Sequence, residues 1–225
     1  MDLKKNDPHV RYTADQYDQF TASFVKPFDE MVAWRVIKEA RPRLPGALLL
    51  DVGTGTARLL VHLARIEELA GLHIVGTDFF ADMVERAKRT VVEAGLTDRI
   101  ELIQQDVHAM SLPDGYADII LSRSTLHHWA DPPRALAEIY RVLRPGGIAL
   151  IHDVRRDPEP EALAEFNRLR EMAGVGPSYL DEKFTSQEAE AFVREAGLAA
   201  HATIRAPKNG LGALGMEVEI IKPLS

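Results

Sequence analysis

Short apolar runs alternate with amphipathic segments along most of this 225-residue chain, and this alternation is what most constrains its fold. The apolar runs have the length of buried strands, and the segments between them place apolar residues at helical spacing. Strands that alternate with helices form a parallel sheet with right-handed crossovers and with helices on both faces. We predict strands at 46–51, 73–78, 100–104, 117–122 and 148–152, and helices at 56–70, 83–94 and 131–143.

The pattern changes after the fifth of these strands. A charged helical stretch at 158–184 is interrupted by glycines. Thr185 and Glu188 then have the spacing of a capping box, which predicts the start of a further helix. Two short runs at 199–204 and 216–221 predict a closing hairpin, because an Asn-Gly pair lies in the link between them.

Ahead of the sheet, residues 9–40 predict two helices that are separated at Pro27. The whole pattern is that of an α/β protein with a seven-stranded, mostly parallel sheet, an antiparallel last strand and an N-terminal helical lid. We expect one domain over residues 1–225. Its predicted parts are a helical lid, a core, an insertion and a closing helix with a hairpin, at 1–40, 41–153, 154–184 and 185–225.

Composition and charge narrow the classes of function. The chain has no cysteine, which excludes disulfides, thiolate metal sites and cysteine nucleophiles. Its 27 basic residues against 34 acidic ones give a net charge of −7, whereas nucleic-acid binding usually needs a basic excess. No apolar run reaches the length of a membrane span, and the first residues lack a signal-peptide pattern. We therefore expect a cytoplasmic protein that binds a small molecule and neither nucleic acid nor membrane.

Carboxylates follow three successive predicted strands at the edge where such sheets bind ligands. Asp51 precedes a Gly-x-Gly turn, in which glycines allow a tight bend and a close backbone approach. Asp78 ends the second strand, where an acid can accept both hydroxyls of a ribose. Asp106 follows the third strand beside Val107, a pair suited to the amine and face of an adenine. Together they indicate a nucleotide-type ligand.

Each of these signals has a simpler explanation when it stands alone. A Gly-x-Gly is often only a turn, Asp78 could cap the next helix, and Asp106 could be an ordinary loop residue. Their repetition at matching strand ends favours a binding site. The dinucleotide fingerprint needs a third glycine where this chain has Arg58, which argues against a nicotinamide cofactor.

At this point the chain resembles the class I S-adenosylmethionine-dependent methyltransferases, specifically their small-molecule branch, over residues 10–153. The matching motifs are Asp51-Val-Gly-Thr-Gly-Thr, Gly76-Thr-Asp78, Gln105-Asp106-Val107 and Leu143-Arg-Pro-Gly-Gly147. One departure is Ala57, where the family usually has a further glycine. The resemblance implies a Rossmann-like fold in which 41–153 is the cofactor-binding core, with S-adenosyl-L-methionine as the cofactor.

The resemblance also implies which residues meet that cofactor. The glycine turn approaches its methionine part, Asp51 orders the turn, Asp78 takes the ribose, and Phe79 covers the adenine. The end of the fourth strand lies beside the methionine carboxyl or the sulfonium, and a Tyr-Asp pair in the first helix adds a contact. The expected cofactor-binding residues are Tyr17, Asp51, Gly53, Thr54, Gly55, Asp78, Phe79, Asp106, Val107, Ser122 and Arg123.

His127 and His128 follow the fourth strand and are candidate catalytic residues. Histidine titrates near neutrality, so His127 in particular could take a proton from an incoming acceptor as a general base. The alternative is that histidine only orders this loop, with Asp131 as the cap of the next helix. Adjacent side chains rarely converge on one ion, so we expect no metal site here.

Aromatic and basic residues in the insertion are candidates for the acceptor pocket, because the insertion should lie over the carboxyl edge of the sheet. These residues are Phe166, Arg170 and Tyr179. Their abundant acidic neighbours leave a solvated surface helix as the alternative. The aromatic stripe of the first predicted helix also has two explanations: it packs against the rest of the protein, or it forms part of a lid.

The sequence therefore predicts an S-adenosylmethionine-dependent methyltransferase that acts on a small molecule. One alternative is an enzyme that uses the aminobutyryl arm of the cofactor and releases methylthioadenosine. Another is a non-catalytic cofactor-binding subunit. The sequence indicates neither the acceptor nor the oligomeric state.

Overall fold

The structure is a computed structural model, which describes residues 26–172, 178, 180–209 and 211–224. The described helices are α1 to α6, at Lys26–Ala40, Arg58–Ala64, Ala81–Glu93, Pro132–Val142, Pro160–Met172 and Ser186–Glu195. The strands are β1 to β7, at Leu48–Val52, His73–Asp78, Ile100–Gln104, Ala117–Arg123, Leu143–Val154, Ala202–Arg205 and Gly215–Ile221. Short 3₁₀ turns occupy Arg41–Arg43, Glu67–Leu69, Leu126–His128 and Leu211–Leu214.

All seven strands form one sheet in the order β3-β2-β1-β4-β5-β7-β6. Strands β1 to β5 run parallel, and β7 is antiparallel to both of its neighbours, β5 and β6. The predicted fold class is confirmed, including the antiparallel last strand. Because the strand order reverses beside β1, the carboxyl ends of β1 and β4 flank the crevice in which sheets of this kind bind ligands.

The central strands are buried on both faces, as their continuous apolar runs predict. Leu49 and Leu121 belong to one core, where α1, α2 and α3 pack. Leu50 and Ile120 belong to the other core, against α4 and α6. Successive residues of a strand point to opposite faces, so the two layers of helices alternate along β1 and β4.

Several local signals are confirmed. Gly95 ends α3 with a φ of +70°, and the Asp131 carboxylate caps α4 by accepting from the Arg134 amide at 3.1 Å. Thr185 and Glu188 form both hydrogen bonds of the capping box at the start of α6. Each of these caps pairs backbone groups that a helix end leaves without intrahelical partners.

Three boundaries differ from the prediction. The helix predicted at 56–70 is α2 followed by a 3₁₀ turn, because Ile66 has extended backbone. Strand β5 starts five residues earlier than predicted, since Leu143 pairs with Ala117 before the chain bulges and pairing resumes at Ile148. Pro27 lies in the first turn of α1, a position that tolerates proline, and the helix predicted ahead of it is outside the described residues.

Candidate active site

The turn after β1 is held against β2 and β4. The amides of Gly53 and Thr54 both donate to the Thr77 carbonyl at 2.8 Å. Gly53 has a φ of +78°, and a Cβ at this position would lie 2.5 Å from the Thr125 methyl. Gly55 also has a positive φ, but no atom lies within 4 Å of where its Cβ would be. The turn is thus packed tightly on one side and is open above Gly55.

Ala57 stands where the resemblance leads one to expect a glycine, and its backbone explains that expectation. Its φ of +60° is left-handed, and its side chain is fully buried. The left-handed conformation costs a non-glycine residue about 1 kcal/mol. The alanine therefore keeps the backbone path of the motif while adding one methyl group to the core.

Asp78 lies at the open side of this turn. One carboxylate oxygen accepts from the Gly55 amide at 2.9 Å, and the other accepts from the Phe80 amide at 3.0 Å. Burial raises the pKa of Asp78 above its ordinary value, against the lowering effect of these amides. The carboxylate is held in one orientation, and each oxygen has a further lone pair for a ligand hydroxyl. The ring of the adjacent Phe79 is half exposed beside it.

Asp51 is buried next to the turn, on the face of the sheet that α1 covers. Burial raises its pKa to about 7, although the Thr54 hydroxyl and the Arg123 guanidinium lower it. Asp51 is therefore poised to change charge near neutrality. A cation bound nearby would favour its ionised form.

Asp106 is fixed by a histidine that the sequence analysis missed. Its Oδ1 accepts from the His108 amide at 2.9 Å and from His108 Nδ1 at 2.6 Å, and His108 Nε2 accepts from the Asp131 amide at 3.2 Å. These contacts outweigh the effect of burial and lower the pKa of Asp106. His108 thus joins the loop after β3 to the start of α4. Val107 is half-buried, because its side chain packs against the core.

Ser122 and Arg123, at the end of β4, contact the protein itself. The Ser122 hydroxyl is fully buried, donates to the Val52 carbonyl at 2.8 Å and also contacts the Thr125 hydroxyl. Arg123 Nη1 pairs with the Asp29 carboxylate of α1 at 2.8 Å. These contacts bind β4 to β1 and to α1. The cofactor contacts expected for both residues stay predictions.

His127 lies in a buried charged network at the ends of β4 and β5. Its Nδ1 donates to Asp153 Oδ2 at 2.7 Å, and its amide donates to the same oxygen at 3.0 Å. The other oxygen of Asp153 accepts from the Val154 amide at 2.8 Å. Although burial raises it, contacts with His127 and the charge of Lys183 hold the pKa of Asp153 below its ordinary value.

The second nitrogen of this imidazole is also occupied. His127 Nε2 contacts the Nζ of Lys183, which lies just before α6. The His128 ring lies tilted against the His127 ring, with centroids 3.9 Å apart and an angle of 46° between the planes. A base role for His127 therefore requires Lys183 to leave Nε2. Asp131, which follows in the same loop, caps α4 as predicted.

The insertion packs against α1. Arg170 of α5 is buried, and its guanidinium carbon lies 5.6 Å from the centroid of the Phe166 ring. Phe166 in turn meets Phe28 of α1 edge-on at 6.3 Å. These side chains are therefore not on a fully solvated helix face, and their contact with an acceptor stays a prediction. Tyr17 and Tyr179 lie outside the described residues.

Two residues of the charged network were missed for different reasons. Asp153 ends a parallel strand, so the rule that found Asp78 could have found it. Lys183 carries no such signal, because only the path of the chain after α5 brings it to His127. Among the described residues, no three His, Asp or Glu side chains are arranged to hold a metal ion, and no helix is long and apolar enough to cross a membrane.

A family model described as a methyltransferase domain matches residues 50–151. These residues form a methyltransferase domain of the S-adenosylmethionine-dependent family. The match spans the glycine turn, Asp78, Asp106 and the loop that carries His127. It confirms the family and the cofactor that the sequence motifs predicted, since S-adenosylmethionine is what enzymes of this family use.

Relatives of this methyltransferase domain agree with the assignment. The chain is 31% identical to 27-O-demethylrifamycin SV methyltransferase of Amycolatopsis mediterranei over 160 residues, which are 70% of this chain and 56% of that protein. It is also 31% identical to phosphoethanolamine N-methyltransferase 1 of Arabidopsis thaliana over 154 residues, 65% of this chain and 30% of that protein. The chain thus spans between 30% and 56% of the length of these curated relatives.

The fold of this chain is also found in solved structures. A S-adenosylmethionine-dependent methyltransferase from Aquifex aeolicus superimposes with a TM-score of 0.66 at 20% identity, over 97% of this chain and 96% of that one. At this identity the likeness shows the fold alone. It covers α1 and the closing strands as well as the domain matched by sequence.

Proposed function

We propose that this protein transfers a methyl group from S-adenosylmethionine to a small-molecule acceptor. The observation that carries the proposal is Asp78, whose two oxygens are oriented by the amides of Gly55 and Phe80 at the open side of the glycine turn. This fixed acid next to an open stretch of backbone fits a ribose whose attached groups lie along the turn. The half-exposed Phe79 ring and the fixed Asp106 fit an adenine.

Each part of the candidate site has its own proposed role. The glycine turn and Asp51 bind the methionine part, and Asp78, Phe79 and Asp106 bind the nucleoside. When bound, S-adenosylmethionine supplies a methyl group on a sulfonium, which departs as a neutral thioether. The loop of β4 that carries His127 borders the acceptor, with Phe166, Arg170 and Tyr179 of the insertion as the proposed rest of the pocket.

Two measurements test this proposal: which cofactor binds, and which product accumulates. Calorimetry should show binding of S-adenosylhomocysteine and none of NAD. With labelled S-adenosylmethionine and a screen of small-molecule acceptors, label should move to an acceptor and S-adenosylhomocysteine should accumulate. Accumulation of methylthioadenosine would instead establish use of the aminobutyryl arm. Binding without turnover across the screen would indicate a cofactor-binding subunit.

Asp78→Ala should weaken S-adenosylhomocysteine binding by roughly 10- to 100-fold. The reason is that two hydroxyls lose a charged acceptor, and hydrogen bonds to charged groups contribute about 1.5–3 kcal/mol. Calorimetry measures the change. Asp82→Ala is the matched control, since Asp82 is an exposed acid in the first turn of α3 and should leave affinity nearly unchanged. Parental affinity in Asp78→Ala would remove Asp78 from the ribose site.

Cofactor affinity should rise as the pH passes upward through about 7, the pKa of Asp51 in the free protein. The ligand carries a cationic ammonium group, so its binding favours the ionised carboxylate. Asp51→Asn should abolish the rise, which calorimetry at pH values on either side of 7 would measure. A pH dependence that persists in Asp51→Asn would assign it to another group.

The same carboxyl should make the free protein less stable as pH rises. Its unfolded pKa is 3.8 and its folded pKa is about 7, so between these values the folded state holds a proton that the unfolded state has released. The free energy of unfolding contributed by Asp51 therefore falls as pH rises across this window. Comparison of urea unfolding of the parent and Asp51→Asn across the window isolates this contribution.

A further inference from the structure

Lys183 is a charged residue of the candidate active site. The proposed function assigns it no role. Its position is fixed by the backbone around it. The Lys183 amide donates to the Leu180 carbonyl at 2.9 Å, and the next carbonyl, that of Phe184, accepts from the Arg156 amide at 3.0 Å. Thr185 then caps α6. The lysine thus lies in a turn that is tied to the end of β5 and to the start of α6.

The hydrogen bonds of the network fix its protonation state. The Asp153 carboxylate accepts from two amides and from His127 Nδ1, which is how an ionised acid is satisfied. The imidazole proton is therefore on Nδ1, and Nε2 presents a lone pair. Lys183 Nζ supplies the proton to that lone pair. The arrangement is a carboxylate, a neutral imidazole and an ammonium in series.

The imidazole that contacts Lys183 belongs to the loop that packs against the glycine turn. Thr125 packs against Gly53, and His127 follows two residues later in the same loop. Asp153, which anchors the imidazole, is at the carboxyl end of β5. Lys183 contacts His127 directly and Asp153 through the imidazole, and the His128 ring lies tilted against the His127 ring. A cation is thus held in the loop that is expected to border the acceptor.

We propose that Lys183 binds the acceptor as an oxyanion, so that the acceptors of this enzyme are acidic hydroxyl compounds such as phenols and enols. This inference rests on the proposed methyl transfer. An ammonium held beside a hydroxyl lowers the pKa of that hydroxyl and increases the fraction that is ionised. The names of the two relatives described above specify methylation at an oxygen in one and at a nitrogen in the other. In this chain, Lys183 favours an oxygen acceptor.

The transfer then needs no base. The oxyanion forms its new bond to the methyl carbon with its own electron pair, while the pair of the carbon–sulfur bond goes to sulfur. One negative and one positive charge disappear, no proton moves, and Lys183 keeps its own protons. Because the charge on the oxygen declines during the reaction, Lys183 contributes more to binding the acceptor than to the chemical step. In this scheme His127 and Asp153 are positioning residues that hold Lys183.

Bound para-nitrophenol tests the assignment, because its ionised form is coloured and can be followed without turnover. In the complex with S-adenosylhomocysteine, the phenol should titrate at a lower pH than it does free in solution. Lys183→Met should remove this shift and weaken binding by about 10- to 100-fold. Lys183→Arg should restore part of both effects. Lys88→Met, at an exposed lysine of α3, is the matched control and should behave as the parent.

Neutral para-nitroanisole, the methylated form of para-nitrophenol, shows whether Lys183 recognises the charge of the ligand or its shape. Its binding should be similar in the parent and in Lys183→Met. If para-nitrophenol is methylated, Lys183→Met should raise KM more than it lowers kcat.

The other results would overturn the assignment. Unchanged or stronger phenolate binding in Lys183→Met would mean that His127 Nε2 takes the proton once the lysine is gone. Absence of para-nitrophenol binding to the parent complex would exclude an oxyanion subsite. Failure of S-adenosylhomocysteine itself to bind would instead contradict the proposed function.

Discussion

Asp153→Asn is expected to raise the KM of an oxyanion acceptor by about 10- to 100-fold, with a smaller effect on kcat, because it loosens the network that holds Lys183, while cofactor affinity stays within a few-fold of the parent. An asparagine at this position keeps its oxygen toward His127, where that oxygen still accepts from Nδ1 and from the backbone amide. Its NH₂ then faces the Val154 amide, which now donates to the carboxylate, so two donors oppose each other. The side chain is displaced and its negative charge is lost, which weakens the hold on the imidazole and, through it, on Lys183.

The measurement is kcat and KM with any acceptor that the screen identifies, together with nitrogen NMR of the His127 ring to detect a change in its hydrogen bonds. Asp131→Asn is the matched control, because asparagine caps a helix about as well as aspartate and Asp131 caps α4. Its kcat and KM should match those of the parent. Parental values in Asp153→Asn would show that the charged network has no part in binding the acceptor.

Gly53→Ala should destabilise the protein by roughly 2–5 kcal/mol, because left-handed backbone costs about 1–2 kcal/mol and forced contacts about 1–3 kcal/mol. The added Cβ would lie 2.5 Å from the Thr125 methyl and 3.1 Å from its Cβ. Thr125 cannot easily turn away, since its hydroxyl contacts that of Ser122. Urea unfolding measures the loss.

Two further variants separate the backbone and packing contributions to this loss of stability. Gly55→Ala carries the backbone cost alone, about 1–2 kcal/mol, because its Cβ would enter open space. Thr125→Ser removes the clashing methyl, so the double variant Gly53→Ala with Thr125→Ser should recover the packing part of the loss. Equal losses for Gly53→Ala and Gly55→Ala would show that the loop after β4 does not press on the glycine turn.

The places of several candidate site residues in the fold could be predicted from the sequence. Asp78, Asp106 and the glycine turn follow directly from strand ends, and strand periodicity identifies those ends without tertiary information. The helix caps at Asp131 and Thr185 are equally local, since each pairs with residues three positions away. Helix and strand boundaries were less accurate where a bulge or an extended residue interrupts a periodic run, as in β5.

The tertiary contacts of the candidate site residues were not predictable in this way. Arg123 and Ser122 end a strand as predicted, yet their side chains contact α1 and β1, which the sequence does not place. His108 is an ordinary loop residue until α4 begins beside it, and then it fixes Asp106. The contacts of these three residues with α1, β1 and the start of α4 join positions that are more than 20 residues apart, and no local pattern encodes them.

The sequence by itself determined the α/β architecture, the order of its elements, the methyltransferase family of residues 50–151 and the acids at the strand ends. These depend on periodicity and short motifs, which act over a few residues. Only the tertiary structure decided that Lys183, 56 residues beyond His127, occupies the nitrogen that the histidine would need as a base. The reason is physical: a protonation state is set by every donor and acceptor that packing brings into contact, and these come from distant segments of the chain.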